Sequence, residues 1–249
     1  MTKIFIHIGM GKAGSSFLQE YFKKHPSVIL GNYKKFSIPD VLFNNSVLNP
    51  KDKNTQFNIL KSKNNYIYMI SDERIGFFRT HTKIGCKYHK SQFTEEWIRA
   101  IRDIYYDVYP NAEILLINRK LDENYIKSCY NQSIKSGYDG NEDEFTNEIN
   151  DFIKKVSKVK ELWGEKFKVH SIDYAHLKKD PENFLNLINQ TLNIPKISNI
   201  KFDKINKSKT QIEIKLIKNL NKIANKFISN KFVYKYYLNI VRKIRVPFS

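Results

Sequence analysis

The stretch Lys3-Ile-Phe-Ile-His-Ile-Gly-Met-Gly-Lys-Ala-Gly-Ser-Ser-Phe-Leu-Gln-Glu-Tyr-Phe22 constrains this chain more than any other. Ile4 to Ile8 is β-branched and aromatic, as a buried parallel strand requires. Gly9, Gly11 and Gly14 then punctuate a short loop, and from Ser15 the apolar residues Phe17, Leu18, Tyr21 and Phe22 recur at helical spacing. The unit is strand, glycine loop, helix. Such a loop aims successive backbone N–H groups and a helix N-terminus at one point, and a phosphate suits that point. Glycines let the backbone approach the anion, Lys12 adds a mobile positive charge, and Ser15 and Ser16 add hydroxyl donors.

The order of residues separates two kinds of phosphate loop. An ATP- or GTP-binding loop reads G-x-x-x-x-G-K-[ST], with the lysine after the last glycine and a hydroxyl next to it for magnesium. Here Lys12 precedes Gly14, and Gly9 to Lys12 is too short for that loop. The stretch resembles instead the 5′-phosphosulfate-binding loop of sulfotransferases that use 3′-phosphoadenosine-5′-phosphosulfate (PAPS), H-I-G-x-x-K-[TA]-G-[ST]-[ST]-x-L-Q. His7, Ile8, Gly9, Lys12, Ala13, Gly14, Ser15, Ser16, Leu18 and Gln19 all fit it.

With 249 residues, 41% of them hydrophobic, the chain is predicted to form a single α/β domain over 1–249, with residues 210–249 as a helical C-terminal segment. No apolar run is long enough to span a bilayer, and strand one begins at Lys3, so neither a signal peptide nor an anchor is expected ahead of it. Cys86 and Cys129 are the only cysteines, which excludes a disulfide framework and predicts a reducing, cytoplasmic setting. The formal net charge of +18 suits a polyanionic cofactor, a nucleic acid, or a drift toward lysine across the whole chain. The lysines are spread rather than clustered among stacking aromatics, so no nucleic-acid partner is expected.

Further along, Val28-Ile29-Leu30 is a short strand, and residues 31–64 read as loop with one helical piece, shaping an acceptor cleft. Tyr66 to Ile70 is a strand that delivers Asp72, Glu73 and Arg74 to the same rim as the glycine loop. Glu73 caps or salt-bridges this loop, or acts on a substrate, and His81 and His89 in the long loop after it are rival bases. No metal-ligand spacing occurs, so no metal is expected. Gln92 to Asp107 carries a helical stripe, Ala112 to Ile117 is a buried strand, Asp122 to Lys135 is a helix, and Asn141 to Gly164 reads as one long helix. Phe167 to Ile172 is the last strand, and Asp180 or Pro181 starts a helix after it. The tail from Lys222 interleaves Phe, Tyr, Ile and Val with Lys and Arg. It is either a helix packed on the domain, the favoured expectation, or a basic amphipathic element on an anionic membrane.

Arg119 at a strand end and Ser128 nine residues on, then Tyr130, resemble the 3′-phosphate-binding element of the sulfotransferases. Lys207 and Ser208, in the basic loop Asn206 to Thr210, resemble their late loop over the same phosphate. The resemblance implies a P-loop-like fold, a parallel sheet with helices on both faces. It implies transfer of a sulfuryl group from PAPS to an acceptor hydroxyl, leaving 3′-phosphoadenosine-5′-phosphate. It further implies Lys12 and Glu73 as catalytic residues, with Gly9, Gly11, Lys12, Ala13, Gly14, Ser15, Ser16, Arg119, Ser128, Lys207 and Ser208 around the cofactor. The Glu73-type base tilts the acceptor toward a saccharide or glycolipid. A P-loop kinase or NTPase, and a non-catalytic protein binding nucleic acid or membrane by its basic surface, are the competing readings.

Overall fold

A computed structural model of the chain describes residues 3–9, 13–30, 66–71, 82–84, 87–89, 95–147, 149, 157–197 and 210–244. The strands are β1 (Lys3–Gly9), β2 (Val28–Leu30), β3 (Ile67–Ser71), β4 (Thr82–Ile84), β5 (Lys87–His89), β6 (Glu113–Asn118) and β7 (Lys168–Asp173). The helices are α1 (Ser15–Lys24), α2 (Glu95–Val108), α3 (Glu123–Ile134), α4 (Val159–Gly164), α5 (Tyr174–Lys179), α6 (Pro181–Leu192), α7 (Gln211–Phe227) and α8 (Lys231–Val241). The described residues fall into two compact units, one drawn from 1–77, 93–120 and 155–205, the other from 78–92, 121–154 and 206–249.

The first unit is an all-parallel sheet in the order β2-β3-β1-β6-β7. β1 sits at its centre, with His7 opposite Ser71 on β3 and opposite Leu115 on β6. Central parallel strands are covered on both faces, which is why Phe5, Ile6, Ile8 and Ile114 to Ile117 are almost wholly buried. The connection from β1 to β2 runs one way across the sheet and those from β3 to β6 and β6 to β7 run the other. Right-handed crossovers therefore put α1 on one face and α2 and α4 on the opposite face.

Each helical layer is pinned by its own contacts. On the first, Phe17 of α1 meets Phe184 of α6 at 6.5 Å, and the buried Tyr21 hydroxyl donates to Asn189 Oδ1 at 2.5 Å. On the second, Arg102 of α2 donates to the Leu162 carbonyl at 2.9 Å and pairs with Glu165 just past α4. Tyr105 packs on Trp163 at 6.2 Å beside it. α6 starts where the Asp-Pro step requires: Pro181 opens it and Asp180 accepts from the Glu182 and Asn183 amides, both at 3.0 Å.

In the second unit, α3 is capped by Asp122, whose carboxylate accepts from Tyr125 N at 3.0 Å. Asn221 of α7 donates to the Ile134 and Tyr138 carbonyls at 2.7 and 3.0 Å, which stitches α7 to the end of α3. Tyr237 of α8 donates to the other side of the same amide at 2.7 Å. Thr210 and Glu213 form a reciprocal capping box at the start of α7.

Three expectations are corrected. Asn141 to Gly164 is not one helix: residues 142–147 are helical, a turn occupies 157–158, and α4 begins anew at Val159. The apolar stripe serves two cores, because Phe145 packs on Tyr130 and Tyr138 in the second unit while Trp163 packs on Tyr105 in the first. The stretch around His81 and His89, expected as loop, contains an antiparallel pair, β4 and β5, with Thr82 opposite His89. The tail is two helices broken at residues 228–230, and Tyr234 and Val241 are its buried apolar anchors in α8. Among the described residues most of its remaining large apolar side chains are exposed, so core packing accounts for only part of it.

Candidate functional site

β1, β3, β6 and β7 all present their carboxyl ends on one edge of the sheet, at Gly9, Ser71, Asn118 and Asp173. β1 lies between strands whose connections leave toward the opposite face, and in open parallel sheets this is where ligands bind.

Gly9 ends β1, and its lack of a side chain makes room for the Ser15 hydroxyl: a Cβ there would stand 2.1 Å from Ser15 Oγ in its present rotamer. Gly14 carries φ of +79°, the left-handed region, and a Cβ on it would meet Leu177 Cδ2 at 2.5 Å and Tyr174 Cε2 at 3.1 Å. Its carbonyl accepts from Phe17 and Leu18 N–H, at 2.9 and 3.1 Å, so α1 starts at once. With glycine as the N-cap there is no capping side chain, and the Ser15 and Ser16 amides, ahead of the first helical bond, point out of the helix end toward any acceptor there.

Ser15 is only 3% exposed, yet its Oγ has no hydrogen-bond partner among the described residues. Burying a hydroxyl unpaired is costly, which leaves this one with hydrogen-bonding capacity at the helix N-terminus. Beneath it lies a second such atom. His7, 1% exposed, has Nδ1 at 2.7 Å from Ser71 Oγ, while its Nε2 is unpartnered among the described residues and would stand 3.6 Å from a Gly9 Cβ. Gln19 donates to the same Ser71 oxygen at 3.1 Å. The Ser71 hydroxyl, which has one proton and two lone pairs, can meet the Gln19 amide and either tautomer of the His7 ring at once. Burial pushes the imidazole down to about 4, so the ring is neutral at pH 7.

Arg119 follows β6 directly, and its guanidinium lies over the Tyr174 ring at 5.3 Å from the centroid. Lys178 approaches the same ring at 5.6 Å. Tyr174, the first residue of α5, is thus the surface that both Gly14 and Arg119 rest on. α5 is itself held in place by Asp173, which accepts from Ala175 N at 2.8 Å.

The structure therefore brings Gly9, Ala13, Gly14, Ser15 and Arg119 to one rim of the first unit, with the half-buried Ser16 in the first turn of α1. Ser128 is half-buried in α3 of the second unit. Gly11, Lys12, Glu73, His81, Lys207 and Ser208 lie outside the described residues, as does the His89 side chain. Tyr174 and Ser71 carried no signal in the sequence, and Gln19 was recognised as part of a motif without a role. Among the described residues no group of three His, Cys, Asp or Glu side chains could hold a metal ion.

No protein-family model matches the chain, and no curated protein matches its sequence. Among solved structures, a sulfotransferase from Alicyclobacillus acidocaldarius aligns with a TM-score of 0.51 at 13% identity, over 94% of this chain and 99% of that one. This is a likeness of fold, and the fold is the P-loop-like parallel sheet with flanking helices. A gluconokinase from Sinorhizobium meliloti 1021 aligns at 0.34 with 11% identity, over 77% of this chain and 95% of that one. A sugar kinase from Janibacter sp. HTCC2649 aligns at 0.39 with 12% identity, over 78% and 96%. Those two alignments are too loose to support an argument.

Proposed function

We propose that the chain is a sulfotransferase, moving a sulfuryl group from PAPS to an acceptor hydroxyl on a carbohydrate or glycolipid. One observation supports it above the others: the buried, unpartnered Ser15 hydroxyl at an uncapped helix N-terminus, over a glycine that leaves no room for a side chain. The residues of that cradle are those of the PAPS-loop pattern, and Arg119, which resembles the arginine of the 3′-phosphate element, supports the reading from over Tyr174. The donor set fits a 5′-phosphosulfate: backbone amides and hydroxyls, with a guanidinium for a second phosphate.

When bound, PAPS supplies the activated sulfuryl group. In this reading the α1 amides and the Ser15 and Ser16 hydroxyls hold and orient its 5′ end. Lys12 places a positive charge where negative charge grows on the departing phosphate, which stabilises the transfer. Arg119 offers its planar fork to the 3′-phosphate. Glu73 takes the acceptor's proton as its oxygen attacks. His7, neutral and buried behind Gly9, holds the end of β1 through Ser71.

The direct test is incubation of the chain with sulfur-labelled PAPS and a panel of saccharide and glycolipid acceptors, without magnesium. Label on an acceptor, with an equal amount of 3′-phosphoadenosine-5′-phosphate released, is the expected result. Transfer from ATP that requires magnesium, with none from PAPS, would replace this reading by the kinase one.

A further inference from the structure

The C-terminal helices of the second unit expose what a folded core ordinarily hides. On α7, Ile212, Leu216, Ile223 and Phe227 recur at helical spacing as one exposed stripe, apart from the buried stripe of Ile214, Ile217, Asn221 and Ala224. On α8, Phe232, Val233, Tyr236 and Ile240 do the same, while Tyr234 and Val241 face inward. Phe227, Phe232 and Tyr236 are 73%, 83% and 69% exposed, far beyond the scattered apolar residues of an ordinary surface.

Charge says what these stripes meet. Residues 210–249 carry nine Lys and Arg and a single acid, Glu213, so they hold eight of the chain's eighteen net positive charges. That one acid is buried in the capping box, which leaves the exposed surface of the segment without a carboxylate. On helical spacing Lys215, Lys222 and Lys226 run beside the α7 stripe, and Lys235 and Arg242 beside that of α8.

We propose that α7 and α8 dock on the surface of an anionic bilayer, each with its apolar stripe in the headgroup–acyl boundary and its basic edge against the lipid phosphates. Aliphatic and aromatic side chains partition into that boundary together, whereas a nucleic acid would use the aromatic faces and leave Ile212, Leu216, Ile223, Val233 and Ile240 unexplained. The helices lie on the membrane and do not cross it, because no helix among the described residues is long and apolar enough to span one. This inference is independent of the sulfuryl-transfer reading.

The test is flotation of the full chain with vesicles of phosphatidylcholine alone and of phosphatidylcholine with phosphatidylglycerol, at low and high salt. The chain is expected to float with the anionic vesicles, less at high salt, and not with the neutral ones. Two triple variants, Phe227→Ser with Phe232→Ser and Tyr236→Ser, and Lys222→Glu with Lys226→Glu and Lys235→Glu, should each lower binding about tenfold or more. These side chains are exposed, so both variants should melt as the parent does. No flotation, flotation unchanged in either variant, or retention by an oligonucleotide but not by vesicles would each overturn the proposal.

Discussion

The Arg119 guanidinium rests on the Tyr174 ring, 5.3 Å from its centroid, and the edge of that same ring limits the space at Gly14. One aromatic side chain thereby ties the end of β6 to the start of α1. A cation over an aromatic face contributes about 0.5–1 kcal/mol where solvent has access. Tyr174→Leu should therefore weaken binding of 3′-phosphoadenosine-5′-phosphate about two- to fivefold, and Tyr174→Phe should leave it near the parent value. Calorimetry distinguishes the two, and a phenylalanine variant as weak as the leucine one would show that the ring face is not what matters.

Gly9 and Ser15 form a second pair. Gly9→Ala brings a methyl group to 2.1 Å from Ser15 Oγ, so the hydroxyl must turn out of its buried position or the loop must shift. The expected cost is about 1–3 kcal/mol of stability, as for other overpacked sites, read as a lower melting temperature. Adding Ser15→Ala removes the clashing atom and should restore most of the melting temperature, while nucleotide binding stays weak because the hydroxyl is gone. A double variant no more stable than Gly9→Ala would mean the close approach is not the cause.

Acid should find His7. Its folded pKa is about 4 against an unfolded value near 6.5, because burial disfavours the charged ring. The unfolded chain therefore binds a proton that the folded chain refuses between those values. Stability is full above about pH 6.5 and falls as pH drops toward 4, by about 3 kcal/mol from this residue. His25, also held below its ordinary value by burial, acts in the same direction. His7→Gln should flatten the acid limb of a urea-denaturation profile, and a limb as steep as the parent's would assign the loss to other groups.

The sheet was readable from short β-branched runs because a doubly covered parallel strand tolerates little else: Ile4 to Ile8 and Ala112 to Ile117 lie within or next to observed strands. The Asp180-Pro181 step was readable because capping is local. What escaped is long-range. His7, Ser71 and Gln19 meet across separations of 64 and 52 residues, and no spacing rule connects them. Tyr174 looked like any aromatic at a helix start until the fold placed Gly14 and Arg119 against it. Asn141 to Gly164 reads as one helix because periodicity does not reveal that Phe145 and Val159 belong to different units.

Lys12 is expected to act on the reaction more than on binding. If it stabilises charge that develops only during transfer, Lys12→Ala should lower turnover on the order of 100-fold, with a much smaller change in nucleotide affinity. Single-turnover rates with labelled PAPS, set beside calorimetric affinities, separate the two. A near-normal rate would remove Lys12 from the chemistry.

The central claim, that this rim is built for a nucleotide with two separate phosphate groups, is tested most directly by calorimetry without magnesium. 3′-Phosphoadenosine-5′-phosphate and ATP would each be titrated into the parent chain and into Arg119→Ala. The account predicts tight binding of the bisphosphate, weak or no binding of ATP, and loss of about tenfold or more for the bisphosphate in the variant. Equal affinity for both nucleotides, or bisphosphate binding that ignores Arg119, would contradict it.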